Sequence, residues 1–256
     1  MIDFQINNGI ATIKINRPET FNSINQPTAY ALQKALDDCQ AEGTIRTVVL
    51  TGEGRAFCAG QDLGEITSPN SAGLKRIVED HYNPIILKIR ALAKPVIAAV
   101  NGVAAGAGAN IALACDIVIA KESASFIQAF SKIGLNPDSG GSYFLPRLVG
   151  MQRATALMFL GDKVSAKDAQ DMGMIYRCVN DADFEAVIHQ ISTQLANMPT
   201  QGLANTKALL NQSFDNTLEQ QLAAEGVYQV KSSKTADYKE GVNAFLEKRK
   251  PVFIGK

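Results

Sequence analysis

Residues 94–120 read KPVIAAVNGVAAGAGANIALACDIVIA. Residues 95–100, PVIAAV, form a short apolar run closed by Asn101-Gly102, which is the form of a strand buried on both faces. The small apolar residues 106–114 follow and predict a helix packed tightly on its neighbours. Residues 116–120, DIVIA, form another buried strand. Strand, helix and strand in so short a span point to an α/β fold with largely parallel pairing.

The same grammar extends both ways. Phe4 to Asn16 alternates and breaks at Asn7-Asn8-Gly9, a β-hairpin signal. Residues 27–42 have helical spacing, with Pro27 in the first turn and Gly43 after the end. Residues 47–51, TVVLT, predict a buried strand ending at Gly52. A long helix is expected over 74–93, where Pro84 either kinks it or marks a first turn. Short strands are expected before Ser139 and around 174–179, with a helix over 139–149. After about residue 181 helical patterns dominate: 182–197, 201–214, 217–231 and 236–248. No Pro/Gly/Ser linker sets this tail apart, so it is expected to pack on the core or on a neighbouring subunit.

Composition narrows the function. The chain has 256 residues, 46% of them hydrophobic, and 25 Lys+Arg against 25 Asp+Glu. Zero formal net charge argues against a nucleic-acid groove or a polybasic membrane surface. The apolar stretch 95–114 is broken by Asn101, Asn110 and its glycines, so no membrane span is expected. Cys39, Cys58, Cys115 and Cys178 lie far apart, and only His81 and His189 accompany them, so no metal site is expected. The opening MIDFQINNGIATIKIN lacks the basic and apolar regions of a signal peptide, and the expected location is cytoplasmic.

Three features carry chemistry. Gly52–Leu63 is a small-residue loop after a buried strand, able to bring backbone N–H groups close to a ligand or to serve as a plain surface turn. Asn101–Ala109 is a second such loop and opens a helix, whose N-terminus suits an anion or a developing oxyanion. Close helix packing uses the same small residues. Asp138 precedes the helix expected over 139–149 and reads either as an N-cap or as a carboxylate base. An apolar pocket would raise its pKa, and helix N–H groups would lower it. Cys58 reads as a packing residue and His189 as solvated or structural. His81 reads as a surface or pocket-lining residue.

In this order the features resemble the crotonase (enoyl-CoA hydratase/isomerase) superfamily along the whole chain. The likeness runs through Asn16-Arg17-Pro18, Phe57–Leu63, Lys94–Gly102, Cys115-Asp116, Gly140-Gly141, Pro146-Arg147 and Glu240–Arg249. It implies a ββα spiral core over 1–195 and a helical C-terminal region over 196–256 that builds trimers or dimers of trimers. It implies an acyl-CoA substrate and no separate cofactor, since CoA is part of the substrate. The thioester oxygen would sit between the N–H groups of Gln61 and Ala107. Ala59, Gly60, Gln61, Asp62 and Leu63 would line the CoA site, and Lys248 would meet a CoA phosphate.

Family hydratases use two glutamates, which align here with Asn110 and Phe130, neither acidic. Both are expected beside the substrate, and Asp138 remains as the catalytic carboxylate. The likeness is strongest to the branch that isomerises ring-epoxidised phenylacetyl-CoA to an oxepin. A 3-enoyl to 2-enoyl shift, an enoyl-CoA hydration, and a non-catalytic CoA- or RNA-binding role are the alternatives.

Overall fold

The computed structural model describes residues 1–68, 71 and 73–256. Strands β1 (Ile2–Asn7) and β2 (Ile10–Ile15) form the expected hairpin. Asn8 and Gly9 turn it with φ of 50° and 77°, the positive pair that a two-residue type I′ turn requires. Helix α1 (Gln26–Ala41) is capped by Asn25, whose side chain accepts from the Thr28 N–H at 3.1 Å. Strands β3 (Thr47–Gly52) and β4 (Ala56–Cys58) follow, then the short helix α2 (Leu63–Ile66).

The helix expected over 74–93 is divided. Helix α3 (Leu74–Arg76) runs into a π-helical turn at Ile77–Tyr82, and α4 (Asn83–Ala91) begins there. The reason is Pro84, which has no N–H and would crowd the carbonyl four residues back in a regular helix. Asn83 reaches back five residues to the Val78 carbonyl instead. Pro84 therefore occupies the first turn of a new helix.

The next elements are β5 (Val96–Val100), β6 (Val103–Ala105), α5 (Ala107–Ala114), β7 (Ile117–Lys121) and β8 (Ser125–Ile127). Helices α6 (Gly141–Val149) and α7 (Met151–Leu160), strand β9 (Lys163–Ser165), helix α8 (Ala166–Asp171) and strand β10 (Arg177–Val179) complete the core. The strands form two sheets, β1-β2-β3-β5-β7-β10 and β4-β6-β8-β9. The pairs β3/β4, β5/β6 and β7/β8 each give one strand to each sheet, so the chain winds as a spiral of strand pairs. Inside the first sheet every pair beyond the hairpin is parallel.

Period-two alternation makes two cores. Val48, Leu50, Val96, Ala98, Val100, Val118 and Ala120 face the main core. Val49, Ile97, Ala99 and Ile119 face the other way, onto Phe184 and Ile188 of α9 (Phe184–Ala196). The tail continues as α10 (Thr200–Gln212), α11 (Leu218–Ser232) and α12 (Ala236–Leu246). No helix among the described residues is long and apolar enough to cross a membrane.

One ionic cluster ties the tail to the core. The Asp116 carboxylate accepts from Arg90 Nη1 at 3.0 Å, from Lys207 Nζ at 2.8 Å and from the Val96 N–H at 2.8 Å. Lys207 comes from α10 and is buried. Removing one partner of a buried pair strands the other charge, at a cost of about 3–5 kcal/mol. Asp116→Ala is expected to lose about 3 kcal/mol of unfolding free energy, read from the urea midpoint at constant m.

Candidate active site

The two glycine-bearing loops meet at the mouth of α5. In the first loop the Gly60 carbonyl accepts from the Ile24 N–H at 2.7 Å, and the Asp62 N–H donates to the Ile24 carbonyl at 3.0 Å. These bonds make a parallel bridge between Ile24 and Gln61. N–H groups alternate in direction along an extended chain, so the Gln61 N–H points away from Ile24. In the second loop Ala107 is the first residue of α5, and its N–H has no place in the helical ladder. Among the described residues neither N–H has a hydrogen-bond partner.

The loops touch because glycine permits it. A Cβ on Gly60 would stand 2.9 Å from the Ala105 carbonyl and 3.4 Å from the Ala107 nitrogen. A Cβ on Gly108 would stand 2.2 Å from the Cys58 carbonyl. Every residue of α5 is buried, so the helix acts as a wedge between β4 and the rest of the core.

The other residues of the first loop have mixed surroundings. Asp62 caps α2 through the Gly64 N–H at 3.0 Å and pairs with Arg17 at 2.9 Å. Gln61 Nε2 donates to Glu65 at 2.6 Å, while its Oε1 is buried without a partner. The Ala59 N–H donates to the Phe21 carbonyl at 3.0 Å. Leu63 is exposed. Phe130 is buried, and its Cζ lies 3.8 Å from the Cβ position of Gly106, at the lip of the second loop.

Asp138 is not a helix cap. Helix α6 starts at Gly141, its N-cap is Gly140, and no side chain bonds to its first turn. The Asp138 carboxylate accepts from Ser139 Oγ at 2.8 Å. Burial pushes its pKa up, and the Ser139 bond opposes this only in part. Asn110, expected among the substrate contacts, is fully buried. Its Nδ2 donates to the Asp138 carbonyl at 2.9 Å and its Oδ1 accepts from Gln128 Nε2 at 2.8 Å.

Some residues stand apart from these expectations. Among the described residues the hydroxyl of buried Tyr82 has no partner, and burial, with the Asp138 carboxylate nearby adding to it, holds its pKa well above the ordinary phenol value. The sequence signal for it is weak: a tyrosine just before the Asn-Pro that divides a helix. Burial pushes the Cys58 thiol up to about 12, which removes it as a nucleophile. His81 is a buried residue rather than a surface one, set edge-on to Tyr30. His189 is exposed. Lys248 lies exposed beyond α12 with φ of 54°, and none of the site contacts among the described residues involves it.

Two large concavities lie elsewhere. A groove of about 790 Å³ runs between the first sheet and α9, past Thr12, Thr51 and His189. A cleft of about 780 Å³ is walled by Leu87, Leu113, Phe144, Leu203, Leu210 and Phe214. Neither includes Asp138, Gln61 or Ala107, and the chemistry argues for the seam between the loops as the site.

Known proteins share this fold and much of this sequence. A family model described as "Enoyl-CoA hydratase/isomerase" matches residues 5–256. The chain is 47% identical over 255 residues to the 1,2-epoxyphenylacetyl-CoA isomerase of Escherichia coli strain K12, covering 98% of this chain and 97% of that protein. It is 44% identical to a probable enoyl-CoA hydratase of Rhodobacter capsulatus, covering 100% and 98%. The crystal structure of a putative enoyl-CoA hydratase/isomerase from Mycobacterium abscessus superposes with a TM-score of 0.94 at 35% identity, covering all of both chains. The spiral of strand pairs, the two apposed loops and the full-length matches together establish that this chain belongs to the enoyl-CoA hydratase/isomerase family and has the crotonase fold.

Proposed function

We propose that the protein isomerises acyl-CoA thioesters, with a ring-1,2-epoxide of phenylacetyl-CoA as its substrate and the oxepin thioester as product. The observation that carries this reading is a single carboxylate, Asp138, kept from full solvation and left free of any capping duty. The positions aligned with the two hydratase glutamates hold Asn110 and Phe130. An amide and a phenyl ring cannot take a proton from water. The isomerase from Escherichia coli supports the choice of substrate.

In this reading the thioester oxygen rests between the Gln61 and Ala107 N–H groups. As the α-proton leaves, negative charge gathers on that oxygen, and each donor lowers the barrier by about 3–4 kcal/mol. Asp138 takes the α-proton and returns it to a carbon of the ring, while the carbon–carbon bond shared by the epoxide and the six-membered ring opens to give the seven-membered oxepin; no atom enters or leaves, so substrate and product are isomers. A carboxyl pKa raised by burial makes a stronger base than a solvated aspartate. Phe130 packs near the acyl end and keeps water away.

The tail from 196 to 256 serves, in the same reading, to build a trimer or a pair of trimers. The chain exposes 13061 Å², against roughly 11,000 Å² for a compact monomer of its mass. Phe214, Leu218, Leu222, Val227, Val230 and Phe245 of the tail are exposed apolar side chains. Lys248 would then reach a CoA phosphate from a neighbouring subunit. The four free thiols suit a cytoplasmic setting.

Asp138→Asn is expected to cut turnover of the epoxide or of a 3-enoyl-CoA by about 10²–10⁴-fold while CoA affinity stays within about twofold, as measured by steady-state kinetics and calorimetry. Near-normal turnover would remove Asp138 from the mechanism. Hydration of crotonyl-CoA at rates above either isomerisation would overturn the isomerase reading.

The same variant has a stability consequence. A carboxyl whose folded pKa is raised favours folding only while protonated, and the benefit is lost as pH rises through that pKa. At pH 7 the carboxyl therefore costs stability. Asp138→Asn is expected to melt above the wild type at pH 7, with the gap closing as the solution is acidified toward the ordinary aspartate range. Sedimentation at micromolar concentration is expected to give three or six copies, and a monomer would refute the role given to the tail.

A further inference from the structure

Asp138 opens a backbone turn whose next two residues both have positive φ. Ser139 and Gly140 are consecutive residues with φ of 50° and 73°. A non-glycine residue in this region is strained, and here it immediately follows the candidate base. The turn closes through the Gly141 N–H, which donates to the Asp138 carbonyl at 2.8 Å.

A second donor reaches the same carbonyl from outside the turn. Asn110 Nδ2 lies 2.9 Å from it, and Asn110 Oδ1 is held by Gln128 Nε2 at 2.8 Å. With both ends engaged, the amide cannot flip without losing both bonds. Asn110 is fully buried and Gln128 nearly so, which makes each bond costly to lose. The fit admits no slack: a Cβ on Gly141 would stand 2.4 Å from Asn110 Nδ2. Asn110 also lies three residues after Ala107 on α5, so one rigid helical turn separates a candidate oxyanion donor from the clamp on the candidate base.

We propose that Asn110, oriented by Gln128, is a positioning residue that fixes the Asp138 turn relative to the Ala107 N–H. This rests on the reading of Asp138 as the base. Asn110 then touches no substrate. It acts by holding the base and the oxyanion donor in one frame, where small displacements are expensive in rate. The helix that carries Asn110 is otherwise built of glycine and apolar residues, AGANIALA, so a buried amide there needs a partner, and Asp138 and Gln128 are the partners it has.

The test is a double-mutant cycle with two readouts. Asn110→Ala is expected to lower kcat for isomerisation by tenfold or more, with CoA-thioester KM and CoA affinity within about threefold. In an Asp138→Asn background, Asn110→Ala is expected to cause no further loss, because the residue acts only through Asp138. Gln128→Met, which cannot donate, is expected to give a smaller loss of the same kind. The second readout needs no turnover. In a ¹³C NMR titration the Asp138 carboxyl, assigned by its disappearance in Asp138→Asn, is expected to titrate lower in Asn110→Ala as the freed turn becomes solvated.

Equal losses in both backgrounds with an unmoved titration would overturn the proposal. So would a variant that loses affinity as much as kcat. Should Asn110→Ala fold poorly, Asn110→Leu keeps the volume, adds no charge and loses the donor, and must show the same pattern. If the wild type isomerises none of the thioesters, the reading of Asp138 as base fails. The titration then still decides whether Asn110 holds the turn.

Discussion

The close seating of α5 against β4 is the constraint on which the rest of the molecule depends. Gly108 lies so near the Cys58 carbonyl that even a methyl group has no room. That contact fixes where the helix begins, and hence where the Ala107 N–H points. Since the helix is buried on every side, packing leaves it one position. The parallel strands on either side fix its height, and the Ile24–Gln61 bridge brings the first loop alongside. Backbone donors placed this way need no side-chain rotamer to be right, so the direction of these two N–H groups belongs to the fold itself.

Much of this architecture is legible in the chain as written. Strands buried on both faces announce themselves as uninterrupted runs such as Val96–Val100, and small residues after them mark close backbone approach. The Asn8-Gly9 hairpin and the tail helices follow from local chemistry alone. The π-helical turn at Ile77–Tyr82 was not legible, because it answers to Pro84 only in three dimensions. Helix α6 starts two residues later than the pattern of 139–149 suggests, since Ser139 and Gly140 adopt turn conformations that sequence spacing does not reveal. That small shift turns Asp138 from a cap into an uncommitted carboxylate.

Asn110 shows where reading by likeness and reading by contact diverge. Alignment places it where hydratases keep a glutamate and so suggests a residue facing substrate. The contacts turn its amide toward Asp138 and Gln128. The signal was present in the sequence: one amide in a helix otherwise built of glycine and apolar residues. A buried polar group must find a partner, but the chain alone does not say which. Asp138 pairs the same tension with energy. Its burial costs stability at neutral pH and raises its basicity, so the fold carries a local penalty where the proposed chemistry would benefit.

The thiols of this protein make a built-in gauge of how tightly the wedge is seated. Cys58 is sealed beneath Gly108, and Cys39 and Cys115 are sealed elsewhere in the core, while Cys178 is half-exposed. An alkylating reagent therefore meets Cys178 directly and reaches Cys58 only when β4 parts from α5. The rate at which Cys58 becomes modified would time the breathing of the seam between the two loops without any ligand present.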